Sequence, residues 1–294
     1  MLATTINGLF PPDFKADGRV NLTQAIARND SGRPAMPPIT VHDARPLQSG
    51  SASDSAFFAA HGFVLLTAPV AVRDWDCDQS VPDNDIARHY LPLVEEIIRT
   101  RLLPGRKIDV QHFGQVRRRG PGTANPTYAN GAHQDYGLTA EDFEHSVAAF
   151  AGPEAGRGWR AGYEHDDVEG FMVLDFWRTA GMAGPLEHMP PALCDPSSVD
   201  SADIVETELE GIAPSGATTR HMCLRNNPAQ RWYYYPRMTP DEVLVFKLFQ
   251  AIREDAAPSL ASCVHTAITD PTTPTGAAER QSCEHRVAVV LLRD

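Results

Sequence analysis

The sequence predicts a mainly β fold, a sandwich or barrel flanked by helices near the N-terminus. Strand-like runs at 171–177, 203–209, 231–236, 243–249 and 286–292 recur through the second half, the spacing of layered β structure. Few strong helical patterns accompany them. No glycine-rich turn joins a strand to a helix, so a doubly wound parallel sheet fits badly.

Taken in order, residues 1–60 read as an irregular N-terminal arm, with 30–56 rich in Ser, Gly, Pro and Asp. Residues 62–72 read as a buried strand ending near Pro69. Over 83–103, Ile86, Tyr90, Leu93/Val94, Ile97/Ile98 and Leu102 recur every three or four positions and predict an amphipathic helix. Pro92 predicts a kink or late start in it, and Pro104-Gly105 a stop. Thr139-Ala-Glu-Asp142 resembles a capping box and opens a second helix that stops at Gly152-Pro153. The stretch 152–170, crowded with Gly and charge, reads as a loop and a candidate lid. Residues 61–294 would hold the helices and core, and 1–294 form a single domain.

Composition narrows the function. The chain has 294 residues, 26 Lys+Arg against 38 Asp+Glu, and a net charge of −12. Such a surface repels phosphate backbones and anionic lipid, which excludes nucleic acid and membranes as expected partners. No apolar run is long enough to cross a bilayer, and the N-terminus lacks the pattern of an export signal. Five cysteines, at 77, 194, 223, 263 and 283, are never spaced C-x-x-C, which suits reduced thiols in the cytoplasm.

Two H-x-D motifs occur, His133-Gln-Asp135 and His165-Asp-Asp167, about as many as chance supplies among eleven histidines. Context separates them. His165 lies in the charged stretch and reads as a solvated loop residue. His133 and Asp135 directly precede the capped helix; on an extended segment they share one face. With one further His from a neighbouring strand they would form a facial triad, the ligand set of non-haem Fe(II) oxygenases. His265, in Ser262-Cys-Val-His-Thr-Ala267, is the candidate third ligand.

Beyond it, Arg280 and Ser282 at i, i+2 spacing would hold the far carboxylate of a dicarboxylate co-substrate, with Arg286 on the same face as a second candidate. Trp232-Tyr-Tyr-Tyr-Pro236, Phe176-Trp177-Arg178 and Asn226-Asn227 read more readily as packing or turns. From these segments and the H-x-D loop, Tyr136, Trp177, Arg178 and Tyr234 are carried as candidate substrate contacts.

Together the segments resemble one family. They are Asp43-Ala-Arg45, Gly62-Phe-Val-Leu65, His133-Gln-Asp-Tyr136, Trp177-Arg178, Ala192-Leu-Cys-Asp195 with Ser198-Val199, and Gln230-Arg-Trp-Tyr-Tyr-Tyr-Pro236. Asp241-Glu-Val-Leu-Val-Phe-Lys247, His265-Thr-Ala267 with Asp270-Pro271, and Arg280-Gln-Ser282 with Glu284 and Arg286 complete the series. It is similar to the cephamycin methoxylase-related proteins, aspergillic-acid-type hydroxylase/desaturases and fungal meroterpenoid dioxygenases of the Fe(II)/2-oxoglutarate-dependent superfamily. Asp175-Phe-Trp-Arg-Thr179 and Gly181–Pro190 depart from the pattern.

The resemblance implies a double-stranded β-helix (jelly-roll, cupin-like) core. Fe(II) would sit on His133, Asp135 and His265, and 2-oxoglutarate would be anchored at Arg280 and Ser282. With O2, the enzyme would hydroxylate, desaturate or cyclise a small molecule of specialised metabolism through a ferryl species. A homodimer or a partner biosynthetic enzyme is the protein partner the chain leaves open. Two other readings remain: an iron oxidase using O2 without 2-oxoglutarate, and a non-catalytic companion subunit. A zinc hydrolase ranks last, because no general base stands beside the H-x-D.

Overall fold

Period-two burial shapes the strands, and a computed structural model describes residues 1–23, 37–120, 131–254 and 260–294. In chain order the strands are β1 (Leu2–Thr4), β2 (Val20–Asn21), β3 (Ile39–Asp43), β4 (Phe63–Thr67), β5 (Ile108–Arg119), β6 (Val168–Thr179) and β7 (Pro191–Cys194). They continue as β8 (Ile204–Leu209), β9 (Thr219–Leu224), β10 (Trp232–Tyr234), β11 (Glu242–Ile252), β12 (His265–Ala267) and β13 (Gln281–Leu292). The α-helices are α1 (Arg45–Ser49), α2 (Asp54–His61), α3 (Asp85–His89), α4 (Leu91–Ile97), α5 (Ala140–Ala151) and α6 (Pro153–Tyr163).

The larger sheet runs β4-β11-β6-β13-β5, every neighbour antiparallel. The smaller runs β1-β3-β10-β7-β12, and a third pairs β2, β8 and β9. β4, β5 and β6 all join the larger sheet; beyond β6 the chain leaves it and comes back with β11 and again with the last strand, β13, which lies between β5 and β6. This is the double-stranded β-helix expected from the sequence. β6 and the middle of β11 are buried on both faces, so they read as near-continuous apolar runs.

One face of the larger sheet packs under helices. Phe57, Phe58, Ile86, Tyr90, Val94 and Ile98 join Phe176, Val245 and Val287 in one buried cluster. The helix expected over 83–103 is present but broken. α3 ends at His89, Pro92 enters in the first turn of α4, and a π-helical turn, Ile98–Leu102, finishes it. Proline lacks an N–H and its ring clashes with the preceding turn, so the break falls beside it. Gly62 ends α2 in the left-handed region (φ 73°) and launches β4; a Cβ there would meet Ala261 O at 3.0 Å.

Two expectations are corrected. The N-terminal arm is not irregular throughout: β1 and β3 extend the smaller sheet through β10, and α1 and α2 follow. Its residues 24–36 lie outside those described. The stretch 152–170 is not a loop: 153–163 form α6, and β6 starts at Val168. Its glycines made it read as a loop, yet Gly156 lets α6 approach α5, where a Cβ would lie 2.9 Å from Ala148 Cβ. Trp159 then packs on Phe143 and Phe171 at 4.7 and 5.3 Å, and this burial overrides the low helix propensity.

The second expected helix begins as predicted. Thr139 caps α5, accepting from Asp142 N while Asp142 accepts from Thr139 N.

Candidate metal centre

Extended backbone at His133 and Gln134 ties two sheets together. His133 exchanges backbone hydrogen bonds with His265 on β12 (3.1 and 2.9 Å), and Gln134 does so with Met222 on β9 (2.9 and 3.3 Å). Gln134 points to the opposite side, fully buried. Its amide donates to Leu248 O and to Ser262 Oγ (3.2 Å), and its carbonyl accepts from Tyr136 N (3.0 Å). The loop around the H-x-D is thereby pinned from behind. Nothing in the residue pattern singled Gln134 out.

Ligand atoms of His133, Asp135 and His265 all lie within 4.8 Å of one another. Each imidazole is oriented by its backbone. Nδ1 of His133 is 2.7 Å from Gly131 O, and Nδ1 of His265 is 3.2 Å from Cys263 O. A carbonyl only accepts, so Nδ1 carries a proton in both rings and Nε2 is the nitrogen turned toward the cluster, the one a metal would take by displacing any proton there. Burial and the neighbouring His133 push the His265 imidazole down to about 4. For His133, burial acts downward too, but the hydrogen bond and charge of Asp135 outweigh it and raise the pKa.

Asp135 closes the group. Its Oδ1 is 3.1 Å from His133 Nε2, and its Oδ2 is 2.8 Å from Arg286 Nη2. Burial would raise this carboxyl, but the Arg286 guanidinium and the two imidazoles hold it well below its usual range. Glu284 lies 3.7 Å from Arg286 and takes both arms of Arg118, at 2.9 and 3.0 Å. Asp175, cross-strand from Arg286, is pushed well above the carboxylate range by burial and by Glu284. Two carboxylates thus face two guanidiniums, with the Asp175 carboxyl beside them shifted toward its neutral form. Sequence reading missed Arg118, Glu284 and Asp175 as members of this group; the i, i+2 run Ser282, Glu284, Arg286 was the available signal.

Ser282 pairs with Thr179 across β13 and β6, and both hydroxyls are buried with no hydrogen-bond partner among the described residues. They share a strand face with Glu284 and Arg286, because directly opposed residues point the same way. Arg280 is buried, donates to Met189 O (2.7 Å), and lies over the Trp177 ring at 5.7 Å. The donor set fits a divalent iron, and two orphaned hydroxyls beside a buried guanidinium fit a carboxylate.

The other expected contacts divide. Tyr136 lines the same cavity, of about 650 Å³, as His133, Asp135, Arg118 and Arg286. Trp177 faces the interior, against Arg280. Arg178 does not, because the next residue along a strand points to the other face. It lies over Trp75 and Tyr90 under the helices and donates to Ala68 O and Pro240 O. Tyr234 is also turned away: Tyr233, not Tyr234, shares the Leu193 register with His265. Asn227 bonds Asp203 in a turn, and His165 is a solvated residue with a 66% exposed side chain. His221, overlooked in the sequence, lines the cavity with its ring 6.4 Å from that of His133.

A β-helix that brings two histidines and an aspartate together offers the ligand types of a facial-triad metal centre. Comparison with known proteins agrees. The sequence profile described as "Oxidoreductase/YMDC permease-like domain" matches residues 14–290, and the chain belongs to that family. Among curated proteins it is 26% identical over 277 residues to the hydroxylase/desaturase poxK of Penicillium oxalicum (strain 114-2 / CGMCC 5302), covering 87% of this chain and 79% of that one. It is 28% identical over 103 residues to the hydroxylase/desaturase efuI of Hormonema carpetanum, covering 32% of this chain and 33% of that one. Its fold matches the iron and alpha-ketoglutarate-dependent endoperoxidase NvfI with a TM-score of 0.65 at 19% identity, over 100% of this chain and 97% of the other. Among the described residues no helix is long and apolar enough to cross a membrane.

Proposed function

We propose that the chain is an Fe(II)- and 2-oxoglutarate-dependent oxygenase that hydroxylates, desaturates or cyclises a small molecule of specialised metabolism. The observation that carries this reading is the convergence of two Nδ1-anchored imidazoles and one carboxylate within 4.8 Å. The fold shared with an iron and alpha-ketoglutarate-dependent endoperoxidase and the curated hydroxylase/desaturase relatives support it.

His133, Asp135 and His265 would hold the iron, with co-substrate and oxygen as its remaining ligands. Iron held there would activate O2, with 2-oxoglutarate as co-reductant, for oxidation of a substrate C–H bond. The protein's residues do the rest. Arg280 and Ser282, with Thr179 opposite, would take the far carboxylate. Arg286 is engaged with Asp135 and Glu284 instead, so it serves to orient the Asp135 carboxylate. Gln134 keeps the ligand-bearing segment from shifting. The cavity walls orient the target C–H, and its placement selects among hydroxylation, desaturation and cyclisation.

We read residues 1–294 as one catalytic unit, since β1, near one terminus, and β13, near the other, both belong to the sheets around the site. Five free cysteines suit a cytoplasmic setting.

Anaerobic addition of Fe(II) and 2-oxoglutarate tests the assignment. A visible charge-transfer band is expected in the wild type and not in His133→Ala. No band in the wild type, or an undiminished one in the variant, overturns it. Succinate released on turnover separates this reading from an oxidase that uses O2 alone.

A further inference from the structure

The mouth of the cavity carries information about the substrate beyond the iron chemistry. Among the described residues six large hydrophobic side chains are exposed, and three of them, Val116, Phe150 and Ile212, line this one cavity. They come from separate places: β5, the last turn of α5, and the connection between β8 and β9. Leu209, ending β8, joins them. Single exposed apolar residues are ordinary on a protein surface; their convergence from distant segments around one opening marks a ligand contact.

The charged side chains in the wall are already paired by protein, and of its polar atoms Arg286 Nε and His221 Nδ1 are buried without a hydrogen-bond partner among the described residues. Arg118 is held by Glu284 and Arg286 by Asp135. His221 Nε2 is 2.8 Å from Thr219 Oγ1, and Ser146 Oγ accepts from Arg220 N. A charged substrate would lose its hydration at the apolar rim without meeting a free counter-charge. The volume, about 650 Å³, falls among clefts that enclose ligands of several rings.

We infer that the cavity admits an uncharged, predominantly apolar molecule, seated against Val116, Phe150, Leu209 and Ile212 with its reacting carbon toward the His133–Asp135 end. The inference rests on the oxygenase reading for the words "reacting carbon" alone; the binding preference stands on the walls.

Nile red, an uncharged fused-ring dye, tests this on the purified full chain without iron or keto acid, by fluorescence titration. Saturable one-to-one binding is expected. Phe150→Asp and Ile212→Asp should each weaken it at least about tenfold, the scale of losing one buried apolar side chain. Val81→Asp, at an exposed apolar residue away from the cavity, should leave it unchanged. Anionic 1-anilinonaphthalene-8-sulfonate should bind at least about tenfold more weakly than Nile red. Absent or unsaturable Nile red binding, rim variants that bind like wild type, or equal affinity for the anionic dye overturns the inference. If the dye fails while the charge-transfer band appears, only the substrate class falls; if the band fails while the dye binds, only the oxygenase reading falls.

Discussion

His133 and His265, from distant parts of the chain, form one hydrogen-bonded antiparallel pair, with backbone N···O distances of 3.1 and 2.9 Å and ring centroids 4.7 Å apart. The ladder sets the separation of the two imidazoles, so the metal need not draw the ligands together. Preorganised ligands bind with little ordering cost.

Metal should therefore stabilise the folded chain. With Mn(II) at about a hundred times its dissociation constant, the unfolding midpoint should rise by about 5 °C. His265→Ala should abolish that rise while the metal-free protein still unfolds cooperatively. A thermal melt with and without Mn(II) reads both, and an equal rise in the variant would place the metal elsewhere.

At the paired hydroxyls of Ser282 and Thr179 the expected effects oppose each other. Removing a buried hydroxyl that has no partner relieves about 1 kcal/mol of desolvation cost, so Ser282→Ala should not lower the metal-free melting midpoint. The same change should weaken 2-oxoglutarate binding to the Mn(II)-loaded protein by about tenfold, since a hydrogen bond to a charged group is lost. Arg280→Met should weaken it further. Calorimetric titration with 2-oxoglutarate checks the order.

Acid should destabilise the fold through His285. Burial and the neighbouring His112, 2.8 Å away, depress this imidazole to about 3. The unfolded chain binds a proton there near pH 6.5 and the folded chain does not, so stability falls as pH drops from about 6.5 toward 3. The slope from this one group is at most about 1.4 kcal/mol per pH unit. Urea denaturation between pH 7 and 5 should show it, and His285→Phe should flatten it.

Asp195 is a structural acid and should matter without touching the cavity. It is fully buried, accepts from Ser197 N and Oγ at 3.0 and 2.7 Å, and meets His61 Nδ1 at 3.0 Å and Arg231 Nη2 at 3.2 Å. These partners clamp the end of α2 to the turn after β7. Burial acts to raise its pKa, but the Ser197 and His61 hydrogen bonds outweigh that and lower it. Its stabilisation is present above about pH 4 and lost as pH falls through the depressed folded value. Asp195→Ala should cost about 2 kcal/mol in denaturant titration and leave the charge-transfer band in place.

Much of this was legible in the residues because it is local. The capping box at Thr139, the stop at Gly152, the proline break beside Tyr90 and the buried runs of β6, β11 and β13 each depend on neighbours a few positions away. β5 escaped notice because Ile108–Arg119 ends in three arginines, which look like surface until Glu284 and Asp76 pair with them. β7 and β12, with four and three residues, are too short to show a period. α6 was read as a loop from its glycines, since its helicity comes from Trp159 finding Phe143 and Phe171, with Tyr163 stacked on Trp159.

Read alone, the chain determined the kinds of groups available: an H-x-D beside a capped helix, a later histidine, and arginines with a serine at strand spacing. Ligand chemistry belongs to side chains and survives without coordinates. Tertiary structure decided which of these meet and which face they take. It turned Arg178 and Tyr234 away from the site into other buried layers, tied Arg286 to Asp135, and gathered Val116, Phe150 and Ile212 at one opening. The physical reason is that a pleated strand reverses its side chains at every residue, so only the register across the sheets says which side looks inward.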